Sequence, residues 1–584
     1  MGHVLDNVPQ DIMVRWHRMN GYSAVWIPGT DHAGIATQNV VKRELDKNGV
    51  DYKSLGREKF IEKVWEWKEK SGDIIINQLK RLGCSCDYER ERFTMDEGLS
   101  KAVNHAFVTY FKRDLIYKGN RMINWCTVCE TALANDEVEH EAQTGNIWSL
   151  NYPLLDDSGN ITGEHITVAT TRPETMLGDT AVAVNPNDDR YKNLIGKLVE
   201  LPLTKRQIPI ISDDYVDSEF GTGMVKITPA HDVNDYEMGE RHNLEKISVI
   251  NSIGKIELEN SPYDGLDRFE ARKKIVADLE ELGLLEKVEK HKNAVGKCYR
   301  CKSIVEPLIS DQWFVKMKPL AEKAKKVVEN GTLEIVPESE KNDYFSWLNS
   351  IQDWCISRQL WWGHRIPVFY CQDCNHVNCD YEAPTECESC KSTNLEQEED
   401  VLDTWFSSQL WPFSTLGWPE KTEELDYWYP NSWLMSGRDI LFFWDARMIM
   451  SGLELLGEIP FKKLALHGMV RDKHGVKLSK SLGNSPDPIK LFEEFGTDAV
   501  RSAIVSNYPM GRQDTKLGDK IFSDAQSLII KLWNATRLLL TTLGEDKIDL
   551  NALDKTKLKF EDKWIRAKLN KCVINQTLVM LLIP

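Results

Sequence analysis

The alternation of apolar and polar positions predicts a mixed α/β fold for residues 1–145. The run "YSAVWIPG" is typical of a buried strand that ends in a turn. The longer segment "REKFIEKVWEWKEKSGDIIINQLKRLG" places apolar residues three and four positions apart, which predicts one or two amphipathic helices. The residues expected to face the core from these helices are Phe60, Ile61, Val64, Ile75 and Leu79.

The pattern changes near residue 146, where short β-rich runs are separated by Gly, Pro, Asn and Asp. These runs are "NIWSLNYPLL", "EHITVATT", "TAVAVNP", "RQIPIISDD" and "GMVKITPA". They predict a mostly β domain over 146–300, inserted between two halves of an α/β domain at 1–145 and 301–510. Segments such as "DKIFSDAQSLIIKLWNATRLLLTTLG" predict a helical region over 511–584.

Two C-x-x-C pairs stand where the insert leaves and rejoins the α/β domain. They are Cys126 with Cys129, and Cys298 with Cys301. Because an inserted domain leaves and rejoins its host at neighbouring points, we expect the four thiolates to close one tetrahedral zinc site across the neck. The alternative is two unrelated pairs of buried thiols.

A second cysteine set, in "CQDCNHVNCDYEAPTECESC", has the C-x2-C-x12-C-x2-C spacing of a zinc ribbon at about 370–392. This segment has too little apolar material for a core, so a metal is expected to hold it. The expected ligands are Cys371, Cys374, Cys387 and Cys390, with His376 and Cys379 as spare donors. Neither zinc site is expected to be catalytic, because four sulfurs leave no open coordination position.

Composition narrows the classes of protein that fit this pattern. The 584 residues are 41% apolar and 28% charged, which is ordinary for a chain with several packed domains. The net charge of −17 argues against a general nucleic-acid coat protein, although a nucleic-acid enzyme can concentrate positive charge locally. The stretch from Lys555 to Lys571 is one basic concentration, with a solvated helix face as the alternative interpretation.

No apolar run reaches the roughly 18 residues that span a bilayer, and no charged-then-apolar signal segment is present. We therefore expect a cytoplasmic protein without a membrane partner. In that compartment the 13 cysteines are poor candidates for disulfides, which favours the zinc interpretation.

A short polar loop, "VKLSKSLGN" at 476–484, carries Lys477, Ser479 and Lys480. Lysine ammonium groups offset the charge that builds on a departing pyrophosphate, so this loop suits a polyphosphate. Exposed lysine–serine loops are common, and the pattern alone is a weak signal.

Other segments carry groups that suit a nucleotide or an amino acid. Gly2 and His3 stand at a predicted helix start, which favours a bound phosphate. Asp31 in "GTDHAGIATQ" follows a predicted strand and could bind an ammonium group. Further candidates are Gly437 and Asp439 in "SGRDILFFWDARM", at a turn that could meet a ribose, and His467 and Gly468 in "LHGMVRD".

Together, "MGH", "GTDHAGIATQ", "DWCISRQLWWGHRIP", "DVLDTWFSS" and "KLSKS" resemble the class I aminoacyl-tRNA synthetases, over essentially the whole chain. KLSKS is similar to the family's KMSKS loop, with Leu478 for methionine, and MGH to the end of its HIGH-type motif. "GTDHAGIATQ" and "TWFSSQLWPFSTLGWPE" look like the valyl branch. The fold implied is a multidomain α/β protein: a Rossmann-type nucleotide-binding domain interrupted by a β-rich editing domain, with a zinc ribbon and the start of a helical anticodon-binding region.

The resemblance implies a two-step reaction in which valine and ATP, with Mg²⁺, form valyl-adenylate, and the valyl group then passes to tRNA(Val). The implied partners are therefore valine, ATP and tRNA(Val), and a monomer is expected. The residues implied to contact ATP are Gly2, His3, His467, Gly468, Lys477, Ser479 and Lys480. Gly437 and Asp439 would meet the adenosine ribose, and Asp31 would hold the valine ammonium group.

The resemblance also implies a small apolar pocket for the valine side chain. Its walls would be Pro28, Val401, Trp405 and one of Trp361 and Trp362, with ordinary core packing as the alternative for each tryptophan. A tight wall excludes isoleucine because overpacking is costly. It cannot reject threonine, which has nearly the shape of valine, a difficulty for which valyl enzymes are themselves the standard example and hydrolytic editing the remedy.

Two segments of the insert, "ATTRPETMLGDTAVAVNP" (169–186) and "GTGMVKITPAHDVNDYE" (221–237), resemble the signatures of the family's editing domain. Without the family they are a strand-to-turn segment and a polar loop that enters a helix. The residues implied to line a hydrolytic pocket are Thr170, Thr171, Arg172, Lys226, Thr228, His231, Asp232 and Asp235. A site that seeks a hydroxyl favours threonine, because valine leaves its polar groups unpaired.

In the family, a strand and a first histidine precede the position of Met1, and a helical bundle continues past the position of Pro584. We therefore expect a fragment that activates valine poorly, although its insert could still hydrolyse threonyl-tRNA. The open alternatives are an isoleucyl- or leucyl-type synthetase, an editing-only or non-adenylating tRNA-binding protein, and a zinc-ribbon nucleic-acid-binding module. The last of these leaves the KLSKS loop and the β insert unexplained.

Overall fold

The computed structural model describes residues 1–219, 221–476, 478, 484–507, 511, 513–544 and 554–582. The helices and strands before residue 138 belong to the α/β part of the molecule. In chain order they are α1 (Gly2–Met19), β1 (Gly29–Thr30), α2 (Gly34–Lys47), α3 (Tyr52–Leu55), α4 (Arg57–Leu82), β2 (Arg92–Phe93), α5 (Glu97–Lys112), β3 (Ile116–Cys126) and β4 (Thr131–Leu133).

Helix α4 is a single helix, which confirms the amphipathic prediction for this segment. The predicted core positions Phe60 and Val64 are buried, and Ile61 and Leu79 are half-buried. The prediction for Ile75 was wrong: this side chain is 47% exposed, and the neighbouring Ile76 is buried. The two halves of the long helix pack against different core clusters, so one apolar stripe does not define its whole buried face.

The run "YSAVWIPG" does not form the predicted strand. Only its last residue and the one after it, the pair Gly29–Thr30, enter a sheet, in parallel with Arg92–Phe93. The preceding residues are held by single backbone bonds, such as that from the N–H of Asp87 to the carbonyl of Trp26 at 2.8 Å. The apolar residues of this run are therefore partly buried without forming a regular strand.

The β-rich insert follows. Its elements are β5 (Val138–Leu155), β6 (Ile161–Thr170), β7 (Ala181–Val184), β8 (Leu198–Leu201), β9 (Arg206–Ser212), β10 (Met224–Ile227), α6 (Val233–His242), α7 (Arg268–Glu281) and β11 (Leu285–Cys298). All five predicted β runs form strands. The strands order as β10-β7-β9-β8-β5-β11, with β6 also on β5. The predicted boundary at residue 146 falls inside β5, and the division into domains as such stays a prediction.

The neck of the insert is the antiparallel pair β5–β11, which runs from Val138 opposite Cys298 outward. The chain thus leaves and rejoins the α/β part at one place, as the insertion argument predicts.

The next elements are β12 (Glu306–Val315), α8 (Lys318–Glu329), β13 (Glu334–Val336), α9 (Lys341–Asn349), β14 (Trp354–Cys355), β15 (Ser357–Arg358), β16 (Phe369–Cys371), β17 (Val377–Asn378), β18 (Leu395–Gln397), β19 (Val401–Leu402), α10 (Thr404–Ser408), α11 (Trp411–Ser414) and α12 (Glu423–Trp428).

The remaining elements are β20 (Asn431–Gly437), α13 (Ala446–Leu455), β21 (Phe461–His467), β22 (Val470–Arg471), α14 (Pro488–Phe495), α15 (Thr497–Ser506), β23 (Thr515–Lys516), α16 (Asp519–Leu543) and α17 (Phe560–Leu582). Strands β13, β21 and β20 form a parallel sheet, with α13 connecting β20 to β21. This is a Rossmann-type α/β arrangement, whose parallel strands are buried by helices.

A four-stranded antiparallel sheet, β14-β12-β3-β4, joins the two halves of the α/β part across the insert. The largest core cluster packs helices α5, α8, α9 and α13 around these sheets. Helices α16 and α17 confirm the predicted helical character of the end of the chain. Within the described residues, no helix has both the length and the apolar character required to cross a membrane.

Candidate functional site

A carboxylate, Asp31, lies in the turn between β1 and α2 and faces helix α10. Its Oδ2 accepts a hydrogen bond from Ser408 Oγ at 2.8 Å, and its Oδ1 accepts one from the backbone N–H of Ala33. The N–H of Gly34 donates to Thr404 Oγ1 at 3.1 Å. Both ends of the short helix α10 therefore hold this turn in place.

Asp31 is solvent-exposed, yet protein surrounds it closely enough to alter its ionisation. Burial raises the pKa of the carboxyl, and the hydrogen bonds from Ser408 and Ala33 and the charges of Arg300 and His364 oppose the rise only in part. An accessible carboxylate within a protein wall is the geometry of a cleft that can receive a cationic group.

Tryptophans stand beside this turn. The ring of Trp405, in α10, lies 5.4 Å from that of Phe443. Trp362 is buried, and its Nε1 donates to the carbonyl of His32 at 2.8 Å. Trp362 is therefore in direct contact with the Asp31–His32 turn.

Trp361 has different neighbours. Its ring lies 5.3 Å from Tyr52 and 5.6 Å from Phe60, in the cluster formed by α3 and α4. Trp362 belongs to the same cluster, where its ring lies 5.2 Å from that of Trp65, so both tryptophans take part in core packing and the choice between them for the amino-acid pocket stays a prediction.

Pro28 and Val401, the other predicted pocket residues, are both buried. Val401 packs with Ile35 and with the cysteines of the neck, so it belongs to a core cluster as well as to this neighbourhood. Gly29 is required next to Pro28, because a Cβ there would lie 2.1 Å from the ring of Trp411.

The second group of candidates lies where β20 and β21 end. Gly437 and His467 are register partners at the carboxyl ends of these parallel strands. A Cβ at Gly437 would lie 2.7 Å from Asp439 Oδ1 and 3.5 Å from His467 Cε1. The carboxyl ends of parallel strands in open α/β sheets are where ligands bind.

Helix α1 approaches the same place. Gly2 and His3 are exposed in its first turn, and Asp6, three residues after His3, places Oδ1 3.5 Å from His467 Nε2. Gly468 is needed for close approach, since a Cβ there would lie 1.9 Å from the backbone carbonyl of Gln513.

The groups around His467 favour its charged form. Burial works against its charged form, but Asp6 and the carbonyl of Gly468 outweigh that, and the pKa of His467 is raised. The remaining predicted phosphate contacts, Lys477, Ser479 and Lys480, lie outside the described residues.

A buried polar cluster lies in the insert. Lys226 forms an ion pair with Asp179 at 3.1 Å, and Thr228 Oγ1 donates to the same Asp179 oxygen at 2.5 Å. The hydroxyl of Tyr152 donates to the other Asp179 oxygen at 2.7 Å. Asp235 Oδ2 accepts the backbone N–H of Thr228 at 2.9 Å, so the carboxylates hold Lys226 and Thr228 from two sides.

Asp235 titrates near neutrality. Burial raises its pKa to about 7, the charge of Asp232 adds to the rise, and Lys226 opposes it. Asp232 itself is exposed and caps helix α6 by accepting the N–H groups of Asn234 and Asp235.

His231 has a fixed tautomer in this neighbourhood. Its Nε2 accepts the N–H of Val249 at 2.8 Å, which puts the proton on Nδ1, and burial lowers its pKa to about 3. Nδ1 has no hydrogen-bond partner within the described part of the chain. The imidazole is therefore a neutral donor without a native acceptor.

Arg172 is engaged in ion pairs. It contacts Glu306 of β12, lies 3.2 Å from Glu174, and donates to the carbonyl of His231 at 3.1 Å. Its backbone N–H is held by Thr170 Oγ1 at 3.0 Å. This guanidinium joins the insert to the α/β part. Thr171, next to it, is half-buried.

Both predicted cysteine sets come together. In each, four sulfurs lie within 4.8 Å of one another, as Cys126, Cys129, Cys298 and Cys301, and as Cys371, Cys374, Cys387 and Cys390. Measured separations include 3.4 Å for Cys126–Cys301 and 3.7 Å for Cys374–Cys387. Zinc–sulfur bonds of about 2.3 Å in a tetrahedron place sulfurs about 3.8 Å apart, so both sets fit zinc. His376 and Cys379, the spare donors, are not part of the ribbon's set.

Three residues of these clusters were not candidates from sequence. Ser408 ends the segment "DVLDTWFSS", and Asp179 lies within "ATTRPETMLGDTAVAVNP", so each stands inside a segment already singled out. Asp6 follows His3 by one helical turn, a spacing that places both on one face of a helix. That spacing could have identified Asp6.

Comparison of the sequence with known protein families assigns the chain to one of them. Residues 1–517 match the sequence model for "tRNA synthetases class I (I, L, M and V)". The chain belongs to this family of class I tRNA synthetases. Within it, the chain is 54% identical over 569 residues to a valine–tRNA ligase of Syntrophotalea carbinolica, covering 97% of this chain and 63% of the relative.

A valine–tRNA ligase of Geobacter sulfurreducens is 53% identical over 573 residues, which cover 98% of this chain and 64% of the relative. The chain thus spans 63% to 64% of the length of these curated relatives. A crystal structure of a LeuRS–tRNA–LeuAMS ternary complex from Agrobacterium radiobacter K84 has the same fold, with a TM-score of 0.51 and 18% identity, covering 95% of this chain and 73% of that one.

Proposed function

We propose that this chain carries the catalytic sites of a valine–tRNA ligase: one that activates valine with ATP and transfers it to tRNA(Val), and one that hydrolyses threonyl-tRNA(Val). The observation that carries the proposal is the accessible carboxylate of Asp31, held by Ser408 beside the Trp405 and Trp362 rings. The relatives named valine–tRNA ligase, at 53% to 54% identity, support valine as the amino acid.

In the activation site, Asp31 binds the ammonium group of valine, and Pro28, Val401, Trp362 and Trp405 enclose its side chain. The valine carboxylate then points toward the carboxyl ends of β20 and β21, where it meets the α-phosphate. Gly437 leaves space for the ribose beside Asp439.

Two groups are suited to the phosphates of ATP. The protonated form of His467 offsets negative charge, and the first turn of α1, at Gly2 and His3, provides the positive end of the helix dipole. Lys477, Ser479 and Lys480 are assigned to the departing pyrophosphate. Mg²⁺ accompanies ATP as part of the substrate.

In the insert, ionised Asp235 holds the ammonium group of a misattached threonine, and Thr228 and Lys226 meet its hydroxyl and the ester. Hydroxyl-seeking groups discriminate against valine, because its side chain offers them no hydrogen bond in a buried site. The proposed zinc ions are structural: they pin the neck and fold the ribbon.

The test is ATP–pyrophosphate exchange by the 584-residue chain with valine, isoleucine or threonine, together with deacylation of threonyl-tRNA(Val). Valine-dependent exchange above isoleucine, with deacylation, supports the proposal. Exchange that prefers isoleucine would assign the chain to the isoleucyl type. Deacylation without valine binding would leave only the editing function. A cytoplasmic monomer accompanies the proposal, and sedimentation measures the oligomeric state.

A further inference from the structure

Two buried arginines connect the neck of the insert to the helix that holds Asp31. The neck begins with a helical turn, Asn135–Glu137, that leads directly into β5. Arg358 Nη2 lies 2.7 Å from Glu137 Oε2 and 2.5 Å from Asp403 Oδ2. Its Nη1 donates to two backbone carbonyls, each at 2.9 Å, so both Nη atoms of this guanidinium are engaged.

Arg447 makes a second, parallel connection. Its Nη2 lies 2.8 Å from Asp136 Oδ2 in the same neck turn, and its Nη1 donates to the carbonyl of Phe443 at 3.0 Å. Its guanidinium stacks 4.0 Å from the ring of Trp354, whose Nε1 donates to Asp403 at 3.1 Å. The hydrogen bond from Trp354 to Asp403 thus links the ring that Arg447 contacts to the carboxylate that Arg358 contacts. We name Arg358 and Arg447 the arginine clamp.

At its other end the arginine clamp reaches the amino-acid site. Asp403 caps helix α10 through the N–H of Trp405 at 3.0 Å. The far end of α10 is Ser408, which donates to Asp31. Phe443, whose carbonyl accepts from Arg447, packs against Trp405 with its ring tilted by 35°. The arginine clamp therefore reaches the proposed valine site through helix α10. Arg358 contacts the capping residue Asp403 at one end of this helix, and Ser408 at the other end donates to Asp31.

The neck approaches the same site from a second direction. The loop between Cys298 and Cys301 carries Arg300, whose charge acts on the Asp31 carboxyl. The backbone N–H of Tyr299, in the same loop, donates to the carbonyl of Glu137 at 3.1 Å. Both strands of the neck are thus tied to the turn that the arginine clamp holds.

Arg358, Arg447, Glu137 and Asp403 are each at most 3% exposed. Buried ion pairs of this kind add little net stability compared with apolar packing, while the removal of one partner is strongly destabilising. They do fix a geometry, since a planar guanidinium bonded to two carboxylates permits one arrangement of the elements that carry them.

We propose that Arg358 and Arg447 are positioning residues that couple the neck of the insert to the amino-acid site. Because coupling between two sites is reciprocal, an amino acid bound at Asp31 also orders the neck, and a loosened neck weakens the amino-acid site by the same factor. The identity of the amino acid rests on the proposed function, whereas the mechanical connection between the neck and α10 does not.

The test uses Glu137→Gln, which removes the charge at the neck end of the arginine clamp and keeps the size of the side chain. The matched control is Glu139→Gln, two residues further along β5, where Glu139 is exposed and pairs with Lys302. Hydrogen exchange of residues 404–408 and calorimetric titration of valine are measured on the whole chain. Glu137→Gln is expected to speed exchange in α10 and to weaken valine binding about three- to tenfold, and Glu139→Gln to change neither.

A purely structural role gives a different result. If the residues are positioning residues, valine slows exchange at residues 134–138 in the unmodified chain, and this protection is lost in Glu137→Gln. If Glu137→Gln does not fold, Asp136→Asn tests the same connection through Arg447 from a half-buried carboxylate. Unchanged exchange in α10 together with a loosened neck would overturn the proposal. Absence of valine binding by the unmodified chain would count against the proposed function, and the exchange of α10 would still decide the coupling.

Discussion

The carboxylate of Asp31 is reached by solvent while the surrounding protein disfavours its charge. A bound ammonium group removes that penalty, because an opposite charge stabilises the ionised carboxyl. The raised pKa of Asp31 and its proposed ammonium ligand therefore have the same cause: the surrounding protein alone disfavours the charge of this carboxylate. Ser408 and Ala33 each donate to one oxygen of the carboxylate and fix its orientation.

Asp31→Asn is expected to weaken valine binding about tenfold to hundredfold, since a hydrogen bond to a charged group contributes about 1.5–3 kcal/mol. Calorimetric titration of valine measures the effect. Because the pKa of Asp31 is raised, its charge is lost at a higher pH than that of an ordinary aspartate, so valine binding should decline as the pH falls toward that pKa and stay constant above it. Asp46→Asn, an exposed carboxylate in α2, is the control. Equal affinities for Asp31→Asn and the unmodified chain would contradict this role.

Asp235 gives the insert a pH dependence of its own. Its pKa is raised to about 7, so the ionised form accumulates as the pH rises through neutrality. Deacylation of threonyl-tRNA(Val) is expected to rise between about pH 6 and 8 with a midpoint near 7. Asp235→Asn should abolish this rise and lower the rate at pH 8 about a hundredfold, whereas Asp214→Asn, exposed on the same domain, should leave the profile unchanged. A profile that is flat in the unmodified chain would argue against Asp235.

At the scale of single residues, sequence identified the groups that sit in distinctive segments and missed those that act through tertiary contact. Asp31 and Asp235 were candidates from sequence, because each lies in a segment with a family resemblance, and their roles stay predictions. Ser408 and Asp179 acquire their roles from partners far along the chain, at Asp31 and at Lys226. Spacing along the sequence carries no information about such contacts.

At the scale of elements, the period-two runs of the insert were predicted well because each strand has its own apolar face and its own turn residues. The segment "YSAVWIPG" has comparable apolar content but has only the two-residue strand β2 to pair with. Strand formation depends on a partner, and the sequence of one segment does not state whether a partner exists. The cysteine pairs were predictable for the opposite reason, since a metal imposes its own spacing.

Each cysteine set is an element that metal binding should stabilise. The unmodified chain is expected to bind two zinc ions, one in each set. Cys126→Ser and Cys374→Ser should each lower the content by one zinc per chain, measured by mass spectrometry of the metal, and should lower the melting temperature because metal affinity contributes to folding. Cys572→Ser, exposed and outside both sets, should leave the zinc content at two. A zinc content unchanged by Cys126→Ser would exclude the neck site.

At the scale of the whole molecule, the activation site and the insert are separate clusters that share one neck. The ion pair of Arg172 with Glu306 and the contacts of Arg358 with Glu137 both cross that neck. These charged contacts therefore help to fix the geometry of the insert relative to the α/β part. Under the proposed function, such a connection suits two sites that handle the same bound tRNA in turn.

The last helices give the molecule an apolar surface of a different kind. Several large side chains of α16 are more than half exposed: Leu528, Ile530, Leu532, Trp533, Leu538, Leu539 and Leu540. Contiguous exposed apolar surface promotes association and binds hydrophobic dyes. If the chain departs from the proposed monomer at high concentration, we expect the association to be reversible and to use this surface.

The double variant Trp533→Gln with Leu540→Gln should reduce both this association, measured by sedimentation, and the fluorescence of a bound naphthalene-sulfonate dye. Because both side chains are exposed, the free energy of unfolding should change by less than about 0.5 kcal/mol. Tyr215→Gln with Tyr427→Gln removes two exposed aromatic residues from other surfaces and serves as the control. If the control lowers association as much as the α16 variant does, then apolar surface in general drives association, and α16 has no special part in it.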